Sequence, residues 1–139
     1  MPRVPHVVFG LLGSSLDRVP GSRWDRWRPT VGLCQQDDFI VDRLELWYAS
    51  RRTDLLAEVV ADIGLVSPET EVVPRPLDFD DPWDLEEVYE KLLDAFVAYP
   101  FRDEEERYFL HITTGTHVWQ ICLFLLTEAH FFPGRLLQS

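Results

Sequence analysis

Apolar residues follow two rhythms along this chain. Short runs bounded by Gly, Pro or charge alternate with longer stretches at helical spacing. The first run, residues 6–9, ends in Gly10 and continues as Leu-Leu-Gly-Ser-Ser, which predicts a buried strand feeding a tight loop. It reads as a strand rather than a leader, because Pro5 and His6 precede it, Asp17 follows closely and no small-x-small site appears. Residues 43–49 predict a second strand, 71–76 a third, 108–113 a fourth and 135–138 a fifth. Pro74 and Pro76 push the third strand towards an edge or a strand end, since proline cannot donate to a ladder. Over residues 53–63, Leu55, Leu56, Val59, Val60 and Ile63 share one helical face, and Gly64 is a plausible stop. In the next helix Asp81 is expected to cap and Pro82 to occupy the first turn, with Asp84, Glu86 and Glu87 at the positive end of the dipole. Leu85, Val88, Tyr89, Leu92, Leu93 and Phe96 then form its buried face. The last helix is predicted over residues 116–131, from Thr116 to Phe131, apolar on nearly every side. Residues 24–36 read as short helix or irregular chain, and 103–107 as a solvated charged turn.

Strands alternating with helices predict an α/β fold: a Rossmann-like, doubly wound, mostly parallel sheet with helices on both faces. In a sheet ordered 3-2-1-4-5, strands one and four are neighbours, and ligands bind in the crevice at their carboxyl ends. That order brings the loop at residues 10–17 against the loop at 113–117.

Composition narrows the picture. The chain has 139 residues, 46% hydrophobic and 13% aromatic, which suits one domain with a real core and argues against disorder. Its net charge is −11, unevenly spread: residues 1–36 hold five Arg against two Asp, and residues 70–139 hold five basic against 14 acidic side chains. Such a chain is a poor general nucleic-acid binder, so a phosphate ligand would need a local pocket. Cys34 and Cys122 lie far apart without C-x-x-C spacing, which fits a reducing cytoplasm rather than a disulfide scaffold or zinc ribbon. The longest apolar stretch, residues 118–126, is too short to span a bilayer and contains Gln120. His111, His117 and His130 lack zincin spacing and a joining carboxylate, so neither a metal nor a cofactor is expected.

The strongest chemical signal is H-I-T-T-G-T-H-V-W-Q, residues 111–120, where a strand passes into a helix. Helix starts offer unpaired N–H groups and a positive dipole end. Gly115 allows close backbone approach, and Thr113, Thr114 and Thr116 can donate to phosphate or hydroxyl oxygens. His117 and Gln120, three apart, can share a helix face. The competing reading is that Thr114 or Thr116 simply caps the helix. Gly13, Ser14 and Ser15 suit a phosphate or ribose contact, although their loop lacks G-x-G-x-x-G and the Lys-Ser/Thr pair. His111, inside a strand, reads as a core or interface histidine. In S-R-W-D-R-W-R-P, residues 22–29, Arg interleaves with Trp. Trp24 and Arg28 can stack a base and hold a phosphate, or the tryptophans can anchor a short helix to the core. No G-x-S-x-G elbow is present.

With these motifs in hand a resemblance emerges. F-G-L-L-G-S-S-L-D, R-W-D-R-W-R-P-T-V-G-L-C-Q-Q, D-R-L-E-L, V-S-P-E-T-E-V and H-I-T-T-G-T-H-V-W-Q-I-C together resemble the amino-terminal CARF domain of the RtcR family. That family comprises sigma-54-dependent activators of the bacterial RNA-repair operon. The resemblance runs in order through essentially the whole chain. It implies a Rossmann-like sensor for an RNA-derived ligand: an RNA end with a 2′,3′-cyclic phosphate, a tRNA fragment or a cyclic oligoadenylate. It also implies a homodimer with the pocket across its two-fold axis, here through the 116–131 helix. Pocket residues carry over to Gly13, Ser14, Ser15, Thr113, Thr114, Gly115, Thr116 and His117. The chain reads as the sensor part of a longer cytoplasmic regulator whose AAA+ ATPase and DNA-binding domains, which work with sigma-54 RNA polymerase, lie outside residues 1–139. No catalytic residue is expected. The alternative is a metal-independent ring nuclease, with His117 as acid or base and Thr114 and Thr116 orienting phosphate.

Overall fold

The computed structural model describes residues 3–139. Five strands form one sheet: β1 (His6–Leu11), β2 (Arg43–Tyr48), β3 (Glu71–Pro76), β4 (Arg107–His111) and β5 (Gly134–Leu137). Their order is β3-β2-β1-β4-β5, and every pair is parallel. The expected Rossmann-like, doubly wound arrangement is therefore present, and β3 with its two prolines stands at an edge. β1 is central, and Val7, Val8 and Phe9 are buried on both faces, which is why its sequence is a continuous apolar run rather than an alternating one.

Helices cover both faces. Val7, Phe9, Trp47, Tyr108 and Leu110 pack against α3 (Leu85–Ala98) and α4 (His117–Glu128). On the other face Val8, Leu44 and Leu46 pack against α1 (Pro29–Leu33) and α2 (Thr53–Val66). Among the described residues no helix is long and apolar enough to cross a membrane.

Several local expectations change. α2 runs through Gly64 to Val66, and Pro82 lies before α3 rather than in its first turn. α3 is capped by Asp84, whose carboxylate accepts from the N–H groups of Glu86 and Glu87, rather than by Asp81. Asp81 instead accepts from Trp83 N–H within the turn before the helix, and Glu87 folds back to accept from the N–H groups of Asp80 and Asp81. α4 ends at Glu128, and His130 follows with a left-handed φ of 65°, so Phe131 lies beyond the helix. Within residues 103–107, Glu106 is buried rather than solvated. It accepts from Arg43 at 2.6 Å and from the Tyr108 hydroxyl at 2.8 Å, and Arg43 holds its carboxyl below the usual range. Glu45, only 2% exposed, joins the same cluster through Tyr99, Arg75 and Arg43 at 2.6, 2.7 and 2.9 Å. Tyr99, desolvated beside Glu45, has its hydroxyl pushed up to about 12. The ion pairs Arg43–Glu106 and Arg43–Glu45 gather at the amino-terminal end of β2, away from the strand ends that face ligands in such sheets.

At the end of β4, His111 is buried and its Nε2 lies 2.8 Å from Ser139 Oγ. Burial lowers its pKa from an ordinary 6.5 to about 4. The unfolded chain takes up a proton here that the native state refuses, so stability is intact above about 6.5 and falls as the pH drops towards 4. By pH 5 the loss should be about 2 kcal/mol. The paired carboxylates lose their contribution only at lower pH, as it falls below their ordinary 3.8 to 4.5 towards their lowered native values. Denaturant unfolding at pH 7 and pH 5 should therefore show this loss, and His111→Gln should flatten it.

Candidate functional site

A cleft of about 450 Å³ opens at the carboxyl ends of the strands. Its first wall is the loop after β1, with Leu12, Gly13, Ser14 and Ser15. Asp17 shapes that loop. Its buried carboxylate accepts from Gly13 N–H at 2.6 Å and from Thr30 N–H and Oγ1–H at 2.8 and 2.6 Å, tying the loop to the start of α1. Burial raises the Asp17 carboxyl above its usual range against the pull of these donors. Glycine is required at 13, because a Cβ there would come 2.9 Å from Thr114 Cγ2.

The second wall is the loop after β4. Thr114, itself buried, donates its hydroxyl to Leu11 O at 2.5 Å, so the two loops are bonded directly. Gly115 has φ of 95°, and a Cβ there would meet Trp119 Cδ1 at 2.6 Å. Thr116 caps α4 by accepting from Trp119 N–H at 3.1 Å and donates to Pro82 O at 3.2 Å. His117, on the first turn of α4, is exposed within the cleft.

The third wall went unread in the sequence. Arg51 and Arg52 follow β2, Asp78 and Phe79 follow β3, and Pro82 and Trp83 precede α3. Ser50 donates through its N–H and Oγ–H to Asp78 at 2.8 and 2.5 Å, which holds that carboxyl below the usual range and fixes the turn that carries the two arginines. The available signal was Ser-Arg-Arg directly after a predicted strand, at the end of the sheet where ligands bind.

Of the residues singled out in the sequence, Gly13, Ser14, Ser15, Thr114, Gly115, Thr116 and His117 line this cleft. Thr113, Gln120, Trp24 and Arg28 do not. Thr113 Oγ1 accepts from Ser139 N–H at 3.1 Å, and Gln120 Nε2 donates to Ile112 O at 2.8 Å, so both stitch the backbone. Arg28 is buried in an ion pair with Asp62 at 2.8 Å, which Arg23 shares at 2.7 Å. The Trp24 ring packs 5.0 Å from the Arg28 guanidinium. The Arg-Trp segment thus answers the charge of Asp62, which α2 carries on its buried face. Two arginines hold that carboxyl below its ordinary range.

The cleft presents hydrogen-bond donors and aromatic surface. Ser14, Ser15, Arg51, Arg52 and His117 offer donors, while Phe79 and Trp83 offer ring surface. The hydroxyls of Thr114 and Thr116 are already engaged within the protein. Among the described residues no three His, Cys, Asp or Glu side chains gather as a metal site would need.

A family model described as regulator of RNA terminal phosphate cyclase, RtcR, matches residues 4–139. The transcriptional regulatory protein RtcR of Escherichia coli (strain K12) is 50% identical over 135 residues, covering 96% of this chain and 25% of that protein. The chain thus spans a quarter of that relative's length. The fold is shared with Enterococcus italicus Csm6 bound to cyclic hexa-2′-fluoro-hexa-dAMP, at a TM-score of 0.74 and 14% identity, over 97% of this chain and 33% of that one. It is also shared with Can2 from Sulfobacillus thermosulfidooxidans in complex with cyclic tetra-adenylate, at a TM-score of 0.61 and 16% identity, over 96% and 31%. A half-identical relative aligned along nearly the whole chain, and a family model that spans it, lead to one conclusion: this chain belongs to the RtcR family of transcriptional regulators.

Proposed function

We propose that this chain is the ligand-sensing domain of a longer transcription activator of RNA repair. Its ligand would be RNA-derived and phosphate-bearing: an RNA end with a 2′,3′-cyclic phosphate, or a cyclic oligoadenylate. The observation that carries this reading is the cleft itself. It lies at the strand-order reversal, and the Thr114–Leu11 hydrogen bond couples its two loops. Occupying it would bias that junction and so relieve restraint on an ATPase domain that works with sigma-54 RNA polymerase on DNA. The cyclic adenylates carried by Csm6 and Can2, which share this fold, support the ligand class.

Sensing is favoured over ring-nuclease chemistry by the committed threonines. Thr114 and Thr116 spend their hydroxyls on Leu11 O and Pro82 O, so neither is free to orient a scissile phosphate. His117 would then bind rather than transfer protons. Incubation with radiolabelled cyclic tetra-adenylate should return it intact, and cleavage that His117→Ala abolishes would overturn this choice.

Binding should be selective and weakly salt-dependent. The chain carries −11, so bulk RNA is repelled while the cleft's few donors grip locally. Calorimetry should show cyclic tetra-adenylate or a cyclic-phosphate RNA binding well above the same RNA ending in hydroxyl. His117→Ala should lose about 1.5–3 kcal/mol of affinity with the fold intact. Thr114→Ala should instead lower folding stability by about 1–2 kcal/mol, because it leaves the Leu11 carbonyl unpaired. Equal binding of all RNAs with a steep salt slope would refute the sensor reading.

We also propose that α4 forms a homodimer. Ile121, Phe124 and Leu125 on its outer face are 51%, 49% and 43% exposed, a stripe that a lone domain rarely leaves in water. A dimer would bury more than about 1,000 Å². Light scattering at micromolar concentration should give twice the 16.3 kDa chain mass, and Phe124→Glu should return it to the monomer.

A further inference from the structure

Among the described residues, two buried side-chain polar atoms lack a hydrogen-bond partner, Arg52 Nε and Trp119 Nε1, and both belong to residues lining the same cleft. Each is a donor that cannot accept. Folded proteins rarely bury a donor unpaired, because it loses water without gaining an acceptor. Two on the wall of one cleft mark a place built to receive acceptor atoms.

Packing holds the Trp119 indole, and a bonded turn carries Arg52. Trp119 is 2% exposed and packs at 5.3 Å from Trp47 and 6.1 Å from Phe79, so its indole has no room to turn. The side-chain space at Gly115 lies against its pyrrole edge, where a Cβ would sit 2.6 Å from Cδ1, the atom next to Nε1. The indole Nε1 itself is closed off from solvent here, so an incoming acceptor reaches it only as the cleft opens. Arg52 follows a turn pinned by the Ser50–Asp78 hydrogen bonds, and its own N–H donates to Ala49 O at 2.8 Å. Asp78, which lines the same cleft, is taken by Ser50, and Arg52 has no ion-pair partner among the described residues. An unpaired cation and a packed neutral donor suit an anionic oxygen, and guanidinium groups match phosphoryl geometry best.

We infer that Arg52 and Trp119 Nε1 form a phosphoryl-oxygen subsite on the wall of this cleft, separate from the contacts made by the loops after β1 and β4. It deepens the sensor reading proposed above and rests on it for the nucleotide nature of the ligand. Arg52 supplies the charge, Trp119 N–H directs one oxygen, and the ring of Trp83 stands on the same cleft for a base.

The test uses inorganic phosphate first, with chloride at matched ionic strength, followed through the side-chain ¹⁵N signals. Trp119 Nε1–H and Arg52 Nε–H should shift saturably with phosphate and not with chloride. Arg52→Gln should raise the phosphate Kd by about tenfold or more, and Trp119→Phe, which keeps an aromatic ring but removes the donor, by about fivefold. Arg135→Gln, which removes an exposed charge on β5, should leave it unchanged. No saturable shift, or equal weakening by Arg135→Gln, would overturn the subsite. Cyclic tetra-adenylate and a short cyclic-phosphate RNA form the second arm. If both bind but ignore Arg52→Gln, the subsite fails while sensing stands. If phosphate behaves as expected and neither oligonucleotide binds, sensing fails while the subsite stands.

Discussion

The hydrogen bond from the Thr114 hydroxyl to the Leu11 carbonyl joins two loops 103 positions apart in the chain. It exists because β1 and β4 are neighbours, and the cleft exists because those two loops meet there. Gly13 lets Thr114 approach, and Asp17 keeps the loop that carries Gly13 folded onto α1. Gly115 and the Thr116 cap then aim the first turn of α4 at the same opening. Loss of the bond would leave a carbonyl unpaired and release both walls together, so the site and its scaffold share one support.

Charge is sorted by the fold in a way that suits a selective binder. Arg23 and Arg28 are consumed by Asp62, Arg43 by Glu45 and Glu106, and Arg75 by Glu45. Buried carboxylates pin these cations because leaving either partner alone would strand a charge in a poor solvent. Arg52 escapes that pairing, although it sits beside the cleft of a strongly acidic protein. An acidic exterior with a few directed donors discriminates by geometry rather than by total charge.

α4 would link the proposed recognition to the proposed association. Its first turn, with His117, faces the cleft; its inner face, with Trp119, Cys122, Leu123 and Leu126, closes the core; its outer face remains apolar and exposed. A change at the cleft end therefore acts on the same rigid element that carries the proposed contact between copies.

Much of this was legible in the sequence because it rests on local rules. Periodicity of apolar residues marked five strands and the long helices, and alternation of the two predicted a parallel sheet with its crevice between the loops after β1 and β4. Glycines beside short polar residues marked those loops. What the sequence could not show is which polar groups find each other across the fold. Arg28 and Trp24 look the same in sequence whether they meet a ligand or Asp62, and only the packing of α1 on α2 decides it. Glu106 looks like one of a solvated acidic run until Arg43, the first residue of β2, reaches it. The pairing of Thr113 with Ser139, the turn that presents Arg51 and Arg52, and the unpaired donors of Arg52 and Trp119 likewise come from contacts between distant segments. Hydrophobic burial is written in spacing along the chain, whereas hydrogen bonds and ion pairs are made by short-range geometry, and that geometry exists only once the chain has folded.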